Sequence, residues 1–129
     1  MGDVVVDSSV LIDHLRGRPE ATRRLERLCR DGAVYVPALA AWELWIGATT
    51  PRRRSGIIEL LSTLVVDPFT AALAELAGDV HRRLAESGRP PPTYDLLISA
   101  HALHRGIPLV TKDRDYRQIP GLKLLPMDV

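Results

Sequence analysis

The chain alternates short, uniformly apolar runs with longer segments whose apolar residues recur at helical spacing. "VVVD" at residues 4–7 belongs to a strand over 3–7, apolar at consecutive positions as expected when both faces of a sheet are covered. Ser8 or Ser9 can cap a following helix carrying Val10, Leu11, Ile12 and Leu15, which stops near Gly17 and Pro19. A second helix over 20–31 puts Ala21, Leu25, Leu28 and Cys29 on one stripe, with Arg23, Arg24, Arg27 and Arg30 elsewhere. "AVYVP" is a second strand that Pro37 terminates, and "ALAAWELWIGA" a helix apolar nearly all round, closed by Gly47. Residues 52–63 form another helix and lead into "LVV", the third strand. Residues 70–87 are amphipathic through Leu73, Leu76, Ala77, Val80 and Leu84. The turn "SGRPPP" precedes an apolar helix over 94–104; "IPLVT" then reads as a fourth strand and "LKLLP" as a short fifth.

Strands alternating with helices predict an α/β fold with a mainly parallel sheet of about five strands sandwiched by helices. At 129 residues, with no repeat, low-complexity tract or linker, the expectation is one domain over residues 1–129. Hydrophobic residues make up 46% and charged ones 26%, a globular balance. No apolar run approaches the roughly 18 residues of a membrane span, and the acidic N-terminus lacks the basic start of a signal peptide, so the expected location is the cytoplasm. Cys29 is the only cysteine, which excludes an internal disulfide and a thiolate zinc cage; a small buried hydrophobe is its expected role. Net charge is only +1. If four of the 16 acids converge on a metal, however, the 17 basic residues leave the rest of the surface plainly basic.

The acids sit where such folds hold their ligands. Sites in parallel sheets lie at the carboxyl ends of the strands, and Asp7 is where the first strand ends; a plain helix-capping role is the alternative. Glu43 is the only charged residue from Gly32 to Pro51, between Trp42 and Trp45. A buried carboxylate there needs a compensating cation or donors; a solvent-facing one does not. Asp95 follows a Thr93 cap, where the helix dipole already favours an acid. Asp113 and Asp115 follow the fourth strand, where turn formation also favours Asp. Gathered at one sheet edge, such carboxylates repel unless protonated or neutralised. Oxygen ligands without cysteine or a paired histidine motif favour Mg²⁺ or Mn²⁺, ions suited to phosphate chemistry. Ser8, Ser9 and Thr111 can orient water or an acid, or serve only as caps and turn residues.

"VVVDSSVLID", "AWELWIG", "YDLLISAHAL" and "LVTKDRDYRQIPGL", in that order, resemble the PIN-domain ribonucleases, specifically the VapC toxins of type II toxin–antitoxin systems. The resemblance implies a PIN-like three-layer sandwich and a metal-dependent endoribonuclease cutting single-stranded regions of RNA. It also implies an acidic metal site of Asp7, Glu43, Asp95 and Asp113, with Asp115 as a further acid. Ser8 matches the small hydroxyl position after the first acid, and Thr111 the hydroxyl before the last. Where the family often has Asn, two places after its first acid, this chain has Ser9. The resemblance further implies a homodimer, in a heterotetramer or larger assembly with a VapB-type antitoxin that inserts along an apolar groove. Apolar groups on the first helices, with Trp42 and Trp45, are candidates for that groove; both tryptophans as core residues is the alternative.

The remaining features carry less. "PRRRSG" either contacts RNA phosphates or is a solvated helix start. His101 and His104 lie one turn apart, with a packed or solvent-facing role favoured over metal ligation. An aspartyl-phosphate phosphatase would want an acid at position 9, which is Ser9. A receiver-like or PIN-like module that binds a metal or partner without catalysis remains the non-enzymatic alternative.

Overall fold

A computed structural model describes residues 2–89 and 92–125. The strands are β1 (Val4–Val6), β2 (Val34–Pro37), β3 (Val65–Asp67), β4 (Leu109–Val110) and β5 (Leu124–Leu125). The helices are α1 (Ser8–Leu15), α2 (Pro19–Asp31), α3 (Ala38–Ile46), α4 (Pro51–Ser62), α5 (Ala71–Glu86) and α6 (Thr93–Arg105). A short 3₁₀ turn, Arg114–Gln118, lies between β4 and β5. Two residues of the "SGRPPP" turn, 90 and 91, and the end of "LKLLP" at Pro126 lie outside the described residues.

All five strands pair in parallel, in the order β3-β2-β1-β4-β5. The chain starts at the centre, moves outward through β2 to β3, then crosses back to β4 on the other side of β1. Right-handed crossovers therefore put α1–α4 on one face and α5 and α6 on the opposite one. β1 is buried on both faces, with Val5 and Val6 at 0% exposure, which is why its sequence is apolar without alternation. Each such valine contributes about 1.5–3 kcal/mol of burial. The main core joins Val4–Val6 and Val110 to Leu11, Leu25, Leu44 and Ile57. A second cluster, Leu73, Ala77, Val80, Leu84, Leu96 and Ala100, glues α5 to α6. Gly106, in the left-handed conformation at φ 67°, ends α6 and turns the chain toward β4. No helix among the described residues is long and apolar enough to cross a membrane.

Local expectations fail in four places. Cys29 is exposed, not buried, because the stripe of α2 runs through Ala21, Arg24, Leu25 and Leu28 and leaves position 29 one step round the helix. Arg24 is accordingly buried. Asp7, in the capping role weighed for it, takes the place of Ser8 or Ser9 as the cap of α1, its carboxylate accepting from the Ser9 N–H. Thr93 is the first residue of α6 rather than its cap, which is Pro92 and makes no side-chain bond. Trp42 is 56% exposed and so no core residue, whereas Trp45 is partly buried with Arg54 stacked 4.9 Å above its ring.

Candidate metal centre

The switch in strand order falls between β1 and β4, and there the acids gather. Val6 pairs with Val110, so the residues that follow, Asp7 and Thr111, emerge side by side despite being 104 positions apart. The Asp7 N–H donates to the Val110 carbonyl at 3.3 Å, extending the ladder by one bond. The Asp7 carboxylate is then held by three donors, with acceptor capacity left on one oxygen. One oxygen accepts from the Ser9 N–H (3.1 Å) and Ser9 Oγ (2.6 Å), and the other from Thr111 Oγ1. Burial nevertheless dominates and raises its pKa above the ordinary range, with these bonds pulling the other way. Asp7 both caps α1 and faces the site.

Asp95 enters from the first turn of α6, and Asp113 and Asp115 from the segment after β4. Asp113 caps the 3₁₀ turn, accepting from the Asp115 N–H at 2.9 Å, while its own N–H donates to Thr111 Oγ1 at 3.0 Å. Each of Asp95, Asp113 and Asp115 offers a carboxylate oxygen within 4.8 Å of the others. Burial, then the charges of Asp113, Asp115 and Asp7, pushes the Asp95 carboxyl up to about 6; the Tyr116 hydroxyl opposes this by hydrogen bonding. These residues fit a hard divalent cation: the donors are all carboxylates, and their repulsion calls for positive charge.

Glu43 comes from α3 and is partly buried, held by Ser8 Oγ at 3.0 Å. Asp7 and Glu43 lie outside the compact carboxylate triplet, although the charge of Asp7 reaches Asp95. Two tyrosines that the sequence did not single out complete the walls. The Tyr116 ring is buried beside Asp95. The Tyr94 hydroxyl is buried beside Glu43 and Ser8; burial, then the Glu43 carboxylate, raises its pKa. Their positions next to Asp95 and Asp115 in the chain were the available signal.

The profile of the PIN domain matches residues 4–122. A ribonuclease, VapC10 of Mycobacterium tuberculosis, is 36% identical over 84% of this chain and 80% of its own length. The chain belongs to the PIN-domain family, among its VapC ribonucleases. A further PIN relative, the tRNA(fMet)-specific endonuclease VapC of Shigella flexneri, is 29% identical over 92% of this chain and 93% of its own. The fold is that of VapC solved in two DNA-bound VapBC structures. The complex from Rickettsia felis gives a TM-score of 0.86 at 22% identity, over 96% of this chain and 98% of that one. The complex from Salmonella typhimurium gives 0.86 at 24%, over 98% and 99%. The five-stranded parallel sheet between helices is thus the PIN architecture that the motifs imply.

Proposed function

We propose that this chain is the toxin of a type II toxin–antitoxin system, an endoribonuclease that cuts single-stranded regions of RNA in the cytoplasm with Mg²⁺ or Mn²⁺. The observation that carries the reading is the Asp95–Asp113–Asp115 triplet beside Asp7 at the strand-order switch. A divalent cation supplies Lewis-acid activation of the phosphodiester and of water. Asp95, Asp113 and Asp115 would hold it, with Asp7, oriented by Ser9 and Thr111, completing the set. Glu43, fixed by Ser8 and, like Asp7, outside the triplet, would accept the proton released as water attacks phosphorus. Supporting the substrate class are the ribonuclease names of the relatives.

The partner reading rests on the antitoxin complexes among the structural neighbours. A groove of about 700 Å³ beside Glu43 is walled by Ile12, Leu15, Leu44 and Ile57, with Arg52 and Arg53 at its rim. It suits an apolar antitoxin segment, and its walls are these aliphatic residues rather than Trp42 or Trp45. Trp42 and Ile46, exposed one turn apart on α3, suit the homodimer contact.

The test is cleavage of single-stranded RNA with Mg²⁺ or Mn²⁺, with EDTA as control. Asp7→Asn and Asp95→Asn are expected to abolish cutting while circular dichroism stays native. Cleavage at wild-type rate by both variants would reveal a contaminating nuclease and remove the assignment.

A further inference from the structure

Two residues outside the proposed ligand set are tied to each other and to it. Asp13, late in α1, is buried at 8% exposure, and its carboxylate pairs with the Lys112 ammonium, 99 positions away. Arg18 Nε stands 3.7 Å from its other oxygen. Lys112 lies between Thr111 and Asp113. Its backbone N–H donates to Ser9 Oγ at 3.3 Å, the same hydroxyl that donates to Asp7. Lys112 is therefore anchored to α1 through both backbone and side chain, on the segment that delivers two of the three clustered carboxylates.

That segment needs a tether. Asp113 and Asp115 are exposed and face Asp95, so their mutual repulsion drives the loop outward. In the 3₁₀ turn itself only Tyr116 is buried. An ion pair to the rigid, core-packed α1 supplies the opposing restraint. The hydrogen bond from Lys112 also holds the Asp13 carboxyl below the ordinary range.

We propose that the Asp13–Lys112 ion pair is a positioning device for the acidic site, fixing the loop of Asp113 and Asp115 against α1 before a cation is bound. The proposal rests on the metal-site reading above. Lys112 acts through the loop and makes no contact with RNA, since its ammonium is committed to Asp13.

Mn²⁺ titration calorimetry on the full chain tests it, for wild type, Asp13→Asn, Lys112→Met, the double variant and Lys112→Arg. Loss of such supporting contacts typically weakens metal binding about 10–100-fold. Each single variant is expected to bind Mn²⁺ at least about tenfold more weakly, the double no worse than either single, and Lys112→Arg close to wild type. KM for RNA at saturating Mn²⁺ should not change. Wild-type Mn²⁺ affinity in both single variants would overturn the proposal, even if their melting temperatures fall, because the pair would then be merely structural. A raised KM in Lys112→Met with Asp13→Asn unaffected would also overturn it, by making Lys112 an RNA contact. A wild-type chain that binds no Mn²⁺ would overturn both this proposal and the metal-site reading; normal wild-type binding with unaffected variants would sink the positioning role alone.

Discussion

Replacing Asp95 by Asn should stabilise the metal-free fold while destroying its response to metal. The Asp95 carboxyl is raised from 3.8 to about 6, by burial first and then by Asp113, Asp115 and Asp7. At about 1.36 kcal/mol per unit, the ionised form is disfavoured by about 3 kcal/mol before screening. Asp95 is only partly buried, so solvent reduces this to about 2 kcal/mol. The dipole of α6 favours the charge by about 0.3–1 kcal/mol, leaving a net gain of about 1 kcal/mol for Asn. The sign follows from the raised value: the group's contribution to stability is fully present below about pH 4 and lost as pH rises through about 6. In EDTA at pH 7.5 the variant should therefore melt about 4 °C above wild type, and at pH 5 the gap should narrow. With Mn²⁺ at a hundred times Kd, wild type gains about 2.7 kcal/mol and the variant little, so the order reverses. Differential scanning calorimetry in the two buffers reads both effects. A variant that melts below wild type in EDTA at pH 7.5, or that gains equally from Mn²⁺, would refute the reasoning.

Two further outcomes follow from the hydrogen bonds. Asp67, on the edge strand β3, accepts from buried His101 Nδ1 at 2.7 Å and from Arg105 Nη2 at 2.8 Å, and Arg105 lies 3.8 Å over the Tyr35 ring. Asp67→Asn should cost about 3 kcal/mol in urea unfolding, the usual scale for breaking a buried pair. Burial alone would raise the Asp67 carboxyl, but the Arg105 and His101 bonds outweigh it and hold the pKa below 3.8. That support is present above about pH 4 and lost as pH falls below it, so acid unfolding of the variant should lack this component. Thr111→Ala removes a donor from Asp7 and should weaken Mn²⁺ binding about tenfold in calorimetry with the melting temperature within a few degrees of wild type; an unchanged Kd would count against orientation of Asp7 by Thr111.

The elements were legible because their signals are local. Three consecutive buried valines, the amphipathic stripe of α5 and the Gly47 stop of α3 are written in short stretches of chain. Where burial depends on which way a helix faces, local pattern misleads: Cys29 and Arg24 exchange the roles their chemistry suggests, and Trp42 faces outward. The acids themselves were visible as charges in apolar surroundings, and their gathering at one sheet edge was expected from the fold class and the resemblance. Which of them form the tight triplet was not, because it depends on β1 lying beside β4, a fact of strand order. The same holds for Asp13 with Lys112 and for Asp67 with His101 and Arg105, pairs joined across 34–99 positions. His101 fits the packed role weighed for it, but nothing near it in the chain announces Asp67 as its partner.

Whether these carboxylates hold one cation is answered most directly by anomalous scattering from crystals grown with Mn²⁺. The expected result is a single strong peak bounded by Asp95, Asp113 and Asp115, on the side facing Asp7. A fully occupied peak elsewhere on the surface, or none between these three side chains at saturating Mn²⁺, would contradict it.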